Sequence, residues 1–403
     1  MHQSLWAGVS GQVEEGETSL QGAVREIMEE TGVPENRFRL LTRGKPINVG
    51  NADGRRMVSP FVFALQQREK IRLDFEHTSK QWIRPWQLHK FRSVPKLAET
   101  LIHGGLPADA LRAIDALRED REHGAMDLAH LAVQKLADLA DDWTGLPDEE
   151  FDRRIELTTF ALSRSRPSMA AVQHALYAVF HNLNAQKPYD AAHIRHVVEN
   201  LQNEWNRAQK QVVEHTAKLV RLQRCILTHS WSDTVIEALR KGLRRDATLY
   251  VTEARPLCEG KRLAAALKNC CRVVLITDAQ AMAVMPEVDM VLVGADAVTQ
   301  DGAVINKSGT ALLGLAARNT KTPMYAAAQW LKLHVGKEPL EIEEMSATEL
   351  GALPRGVAAR NIYFDRTPPE CLTGLITEDG ELSRRQTAAA IGKRRTQYEF
   401  LTT

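Results

Sequence analysis

Gly11-Gln12-Val13-Glu14-Glu15-Gly16-Glu17, then seven residues, then Arg25-Glu26-Ile27-Met28-Glu29-Glu30-Thr31-Gly32-Val33 is the stretch from which the front of the chain is read. From Thr18 to Thr31 the only helix breaker is Gly22, so the run predicts a helix. Leu20, Val24, Ile27 and Met28 recur at helical spacing and form an apolar stripe that can bury. Glu26, Glu29 and Glu30 stand three and four apart, which puts their carboxylates on the other face, one turn from each other. Like charges so placed repel. A hard divalent cation offsets that repulsion, and Mg2+ takes carboxylate oxygens together with water and substrate phosphates. Gly32 supplies the helix stop. The plain alternative is a solvated acidic face, but the loop–helix–glycine setting is too ordered to favour it.

These residues match the Nudix box, Gly-x5-Glu-x7-Arg-Glu-apolar-x-Glu-Glu-x-Gly-apolar, at every fixed position, and residues 1–95 resemble a Nudix hydrolase. The resemblance implies an α/β/α domain that splits a nucleoside diphosphate derivative with water, with Mg2+ or Mn2+ as cofactor. It implies Glu26 and Glu30 as metal ligands, Glu29 as a ligand or water activator, and Glu17 as a partner of Arg25. His2 to Gly11 resembles the strand that leads into the box. Family members ordinarily carry a further strand and a substrate-contacting turn ahead of it, so the domain is expected to lack its usual first strand. Further on, Phe38–Leu41 and 58–65 are strand-like, with turn chemistry at Asn51-Ala52-Asp53-Gly54 between them. Glu76, in Asp74-Phe75-Glu76-His77, is a candidate additional metal carboxylate by the same resemblance, or a surface Glu in a strand connection. Trp82 and Trp86 are expected in a core or interface rather than as stacking platforms.

The whole chain has 403 residues, enough for two or three domains. Its 44% hydrophobic and 26% charged content is that of an ordinary globular protein, and a formal net charge of +1 gives no electrostatic case for nucleic acid or an anionic membrane. The five cysteines make no C-x-x-C pair or metal spacing and read as reduced thiols, hence a cytoplasmic protein. No apolar run is long enough to span a bilayer.

Residues 96–123 read as a helical linker and 124–222 as an all-helical subdomain, with helices around Leu128–Leu139, Ile155–Leu162, Met169–Leu183 and Ala191–Val220. Within it, Arg164 and Arg166 precede Pro167 at a helix start, where guanidinium donors and free N–H groups suit an anion; the alternative is a solvated basic turn. Across 223–403 the period changes. Apolar runs at 225–229, 247–253, 272–278, 290–296 and 323–327 alternate with helical stretches, which predicts a Rossmann-like parallel sheet covered on both faces. Polar residues collect at the carboxyl ends of these runs, where such sheets bind ligands. No glycine-rich nucleotide fingerprint or P-loop accompanies them.

Leu227-Thr228-His229, Val251-Thr252-Glu253-Ala254-Arg255-Pro256 with Glu259-Gly260, Val293-Gly294-Ala295-Asp296 and Asn306-Lys307-Ser308-Gly309-Thr310 resemble, in that order, one superfamily. It holds the alpha, beta and delta subunits of translation initiation factor 2B and the isomerases of methylthioribose 1-phosphate and ribose 1,5-bisphosphate. Glu341 to Glu344 and Phe364 to Glu370 look closer to the isomerases. The resemblance implies Arg255 and Lys307 as phosphate ligands, helped by Arg164 or Arg166, and Asn306 at the sugar. Asp296 is implied as the general acid or base of an aldose–ketose conversion, a task that suits a buried, tuned carboxyl; the alternative is a strand-end cap. It also implies a homodimer or higher homo-oligomer, and no cofactor in this part. Ser230 stands where the isomerases have a catalytic Cys, and a hydroxyl is not readily ionised without an adjacent base. Asp233 near the next helix start opposes a phosphate there.

The expected function is a Mg-dependent Nudix pyrophosphohydrolase fused to a pentose-phosphate isomerase-like domain. A non-catalytic sugar-phosphate sensor and an initiation-factor-type interaction module stay open beside it.

Overall fold

A computed structural model describes residues 5–50, 56–65, 71–75, 77–183, 187–334, 340 and 342–397. The expected turn at 51–54 and the candidate Glu76 lie outside them. Helix α1 forms over Ser19–Thr31. Thr18 caps it: its side chain accepts from the Gln21 N–H while the Gln21 side chain returns to the Thr18 N–H. Gly32 closes the helix at φ +66°, a left-handed conformation that costs glycine nothing.

The expected burial of the α1 stripe is only half met. Leu20, Val24 and Ile27 are half-buried, Met28 is 42% exposed, and the buried residues are Gly22 and Glu30. Among the described residues, strand β1 (Phe38–Arg43) pairs only with β2 (Phe61–Leu65), and a two-stranded ribbon offers little surface to bury against. The lead-in strand expected before the box reduces, over residues 5–11, to a single bridge between Trp6 and Ser93. Trp82 is 74% exposed rather than buried, because residues 81–84 adopt no regular element that would turn it inward.

The stretch 96–123 holds helices α2 (Leu97–Gly105) and α3 (Ala108–Glu119). α2 packs on the ribbon: the Thr42 hydroxyl donates to the Gly104 carbonyl, and a Cβ added at Gly44 would sit 2.4 Å from the His103 oxygen. The chain divides into two compact units that are each discontinuous in sequence: 1–116, 138–161 and 186–191 form one, and 117–137, 162–185 and 192–403 the other. Helices α4 (Ala125–Asp142), α5 (Asp148–Ser163), α6 (Ala170–Asn182) and α7 (Ala191–Val220) fall where the apolar periodicity put them.

The second unit is built on a seven-stranded sheet. Strands β3 (Cys225–Thr228), β4 (Thr248–Thr252), β5 (Arg272–Ile276), β6 (Met290–Val293) and β9 (Met324–Ala327) are the five expected parallel strands. Two more, β11 (Gly374–Thr377) and the antiparallel edge strand β12 (Gly380–Ser383), complete the order β12-β11-β9-β6-β3-β4-β5. The chain leaves β3 toward β4 and β5, then returns to β6 on the other side of β3, so their carboxyl ends flank a topological switch point. A separate antiparallel trio of β7 (Ala297–Val298), β8 (Val304–Lys307) and β10 (Phe364–Thr367) presents residues to that point. The protein is thus α/β, with a mainly parallel sheet carrying its second unit.

Candidate functional site

In the first unit, Arg25 gathers the acidic residues of the box. Its Nε lies 3.1 Å from Glu17, and its Nη1 lies 2.9 Å from Glu26 and 3.0 Å from Glu29. Glu30 turns elsewhere: it accepts from the Ser10 N–H at 3.3 Å and lies 3.7 Å from His77, which Asp74 holds at 2.7 Å. Burial pushes the Glu30 carboxyl above its ordinary range, and the charges of Glu26 and Asp74 push the same way. Gly11 makes the room for Glu26, since a Cβ there would lie 1.7 Å from its Oε1. Hard carboxylate oxygens fit Mg2+ in kind. The described residues nonetheless close no group of three potential ligands round a single point, because Arg25 holds Glu26 and Glu29 while Glu30 faces Ser10 and His77.

In the second unit, β3 delivers Thr228-His229-Ser230 to the switch point. His229 is buried, and burial lowers its pKa. Its Nε2 lies 3.1 Å from the Ser308 carbonyl, which only accepts, so Nε2 carries the proton and Nδ1 accepts from the Thr252 hydroxyl at 2.6 Å. Both ring nitrogens are therefore committed away from Ser230. The Ser230 hydroxyl instead donates to Glu259 Oε2 at 2.7 Å, from a backbone held at φ +65°. Glu259 also receives the Trp231 N–H at 3.2 Å and the Lys307 ammonium at 2.9 Å. Burial alone would raise the Glu259 carboxyl, but Lys307 and these hydrogen bonds outweigh it and hold it low. The Lys307 ammonium lies 3.4 Å from the Tyr363 ring centre.

Asp296 follows β6. Burial pushes its carboxyl up to about 6, against the pull of Lys332, Lys307 and Arg166. Lys332 is buried beside it, donates to the Ala295 carbonyl at 2.6 Å, and is itself lowered by burial. Ser230, Lys307 and Asp296 are thus brought together around Glu259. Asn306 is buried with its amide donating to Thr310 at 3.1 Å. Arg166 is committed to an internal anion: Glu343 binds it at 3.2 Å and also accepts from the Ser168 N–H at 3.3 Å. The anion seat expected ahead of that helix is thus filled by a carboxylate of this chain. Arg164 and Arg255 are exposed, and the Arg255 guanidinium donates to the Leu350 carbonyl at 3.3 Å. Asp233 opens the helix over Asp233–Gly242, accepts from the Trp231 indole at 3.0 Å and shares a hydrogen bond with Asp127, whose carboxyl is raised by burial and by that neighbouring charge. Asp365 accepts the Gly309 and Ala311 N–H groups at 2.7 and 3.1 Å, at the start of the helix Thr310–Thr320, and burial holds its carboxyl up at about 6.

Sequence reading missed Lys332 and Tyr363, and took Glu259 and Glu343 only as family tags. Lys332 left a signal, a single charge in the apolar run Ala326–Leu333. The pairing of Glu343 left none, because its partner is 177 residues away.

Residues 121–384 match the model of the Initiation factor 2 subunit family, and residues 1–103 match the NUDIX domain. A protein of Pyrococcus furiosus described as a putative translation initiation factor eIF-2B subunit 2-like is 30% identical over 281 residues, covering 68% of this chain and 96% of its own. A ribose 1,5-bisphosphate isomerase of Methanocaldococcus jannaschii is 29% identical over 266 residues, covering 64% of this chain and 86% of its own. The solved translation initiation factor eIF-2B of Pyrococcus horikoshii superposes with a TM-score of 0.60 at 28% identity, covering 68% of this chain and 97% of that one. The described residues hold no helix long and apolar enough to cross a membrane. The chain belongs to the initiation factor 2 subunit family and carries a NUDIX domain ahead of its ribose-1,5-bisphosphate-isomerase-like part.

Proposed function

We propose that the protein has two sites: a Mg2+- or Mn2+-dependent pyrophosphohydrolase of a nucleoside diphosphate derivative in front, and a pentose-phosphate site at the switch point behind. In front, Glu26 and Glu30 would hold the metal once they turn from Arg25 and from Ser10 and His77, with Glu29 as ligand or water activator and Glu76 as a further candidate. A bound divalent ion neutralises the diphosphate and lowers the pKa of water. Arg25 keeps Glu17, Glu26 and Glu29 in place, and Glu30 supplies the buried carboxyl. The test is turnover of ADP-ribose with Mg2+: the wild type hydrolyses it and Glu30→Gln does not. No turnover by the wild type rejects this half.

The observation that carries the second half is Asp296, a buried carboxyl pushed up to about 6 on which the charges of Lys332, Lys307 and Arg166 act. A carboxyl titrating near neutrality beside cations suits proton transfer on a sugar phosphate, with Asp296 as general acid and base. Lys307 binds the phosphate and Asn306 the sugar, with Arg255 and Arg164 or Arg166 as further candidates for the phosphate. Ribose 1,5-bisphosphate is the substrate to supply, with appearance of the ketose bisphosphate as the readout.

A second reading is favoured by Ser230. Its hydroxyl is bonded to a carboxylate whose pKa is lowered, and His229 faces away, so nothing in contact activates it. That arrangement suits a site that binds a pentose phosphate without turning it over, as a sensor or an initiation-factor-type regulatory module. Binding of ribose 1,5-bisphosphate without conversion, with conversion gained by Ser230→Cys, supports this second reading; conversion by the wild type rejects it. We also place the protein in the cytoplasm as a homodimer or higher homo-oligomer, which size-exclusion chromatography with light scattering tests; a monomer at all concentrations refutes the assembly.

A further inference from the structure

We propose that Tyr363 is a ligand-positioning residue of the switch-point site, its hydroxyl donating to a phosphate oxygen of the bound sugar; this rests on the pentose-phosphate reading of that site. Tyr363 is 4% exposed, and its hydroxyl oxygen is buried with no hydrogen-bond partner among the described residues. A buried hydroxyl left unpaired forfeits its hydration without a replacement, so a native protein seldom keeps one without a use.

The rest of the residue is fully engaged. Its N–H donates to the Glu343 carbonyl at 3.1 Å, and its carbonyl accepts from the Ser308 N–H at 3.0 Å. Its ring meets Phe364 edge-on at 5.4 Å and carries the Lys307 ammonium on its face. Only the hydroxyl lacks a counterpart. The surroundings of that hydroxyl are charged rather than apolar: Glu259 and Glu349 act on it from one sign, Arg121 and Arg166 from the other. Burial, with the two carboxylates, raises the phenol well above its ordinary pKa, so it remains a neutral O–H and therefore a donor. An acceptor is the partner that would take up its proton.

The cations about the ring, Lys307 on its face and Arg121 and Arg166 acting on the phenol by charge, favour an anionic acceptor. Lys307 is held by Glu259, and Arg166 by Glu343. A phosphate that takes Lys307 from Glu259 brings acceptor oxygens to the edge of the ring on which Lys307 lies. The ammonium and the phenol O–H then converge on one group, and the internal carboxylate is replaced by the ligand.

Tyr363→Phe keeps the ring and its contact with Lys307 and removes only the hydroxyl. The experiment uses full-length protein, isothermal titration with ribose 1,5-bisphosphate and with unphosphorylated ribose, and thermal melts without ligand. We expect the variant to melt at or above the wild type without ligand, because an unpaired buried group is gone, and to bind ribose 1,5-bisphosphate about tenfold more weakly. Binding of ribose should not differ between the two proteins. Equal affinity for ribose 1,5-bisphosphate overturns the assignment. So does a lower ligand-free melt, which means that the hydroxyl has an internal structural partner. A wild type that gives no heat with ribose 1,5-bisphosphate overturns the site reading itself, and with it the role of Tyr363.

Discussion

Asp296→Asn is the substitution whose consequence is set most directly by the geometry. The native carboxyl titrates near 6, against an ordinary value of 3.8. Each unit of difference between folded and unfolded states corresponds to about 1.4 kcal/mol, so burial of the ionised form costs the native state about 3 kcal/mol at pH 8. The sign follows from proton counting. Between pH 3.8 and 6 the folded chain holds a proton at Asp296 that the unfolded chain has released. Stability from this residue is therefore complete below the lower value, falls as pH rises between the two, and is level above the upper one. Asparagine cannot titrate and lacks this slope. The comparison is a double difference, wild type against variant at pH 4 and pH 8, which cancels every group that behaves alike in the two proteins. Two units in one chain make a single global unfolding energy ill-defined. The assay is thus hydrogen exchange of the amides in β6 and β8, the strands beside Asp296, in wild type and variant. The wild type should lose about 2.5 kcal/mol more protection than the variant across that range, since at pH 4 the unfolded carboxyl is already more than half ionised. Parallel pH dependences would refute the claim that this carboxyl is destabilised by burial, and would remove the basis for assigning it proton transfer near neutrality.

Arg166→Met should destabilise the second unit by about 3–5 kcal/mol, because it strands Glu343 in a pair whose side chains are only 3% and 8% exposed; adding Glu343→Met should recover most of the loss, as read by chemical denaturation. Gly11→Ala places a Cβ 1.7 Å from the Glu26 carboxylate, so that side chain must move; Mg2+-dependent turnover of ADP-ribose should fall about a hundredfold while the melt of the second unit is unchanged. Gly309→Ala combines φ +112° with a Cβ 2.9 Å from the His229 ring; a loss of about 1–3 kcal/mol is expected by denaturation, with weaker ribose 1,5-bisphosphate binding.

Local pattern was sufficient wherever a feature depends on neighbours in the chain. The stop at Gly32 and the pairing of Arg25 with Glu17 span at most a few turns, and the helical run and the box placed both. The five parallel strands announced themselves as unbroken apolar runs because both faces of the sheet are covered. Strands β11 and β12 did not, since Thr373-Gly374 and the Glu-Asp-Gly turn between them read as loop. Trp82 shows the converse: aromatic character marks what can bury, while exposure depends on whether an element forms to carry it inward.

By itself the sequence determined the two-part organisation, the family of each part, and which charged residues stand near the strand ends. Only the tertiary structure decided how those charges are spent. Ser230 is tied to Glu259, Lys307 to Glu259 and Tyr363, Lys332 to the Asp296 neighbourhood, and Arg166 to Glu343 across 177 positions. The physical reason is that local hydrophobic period marks what can bury, whereas the protonation and availability of a buried charge depend on whichever distant groups the fold brings within hydrogen-bond reach.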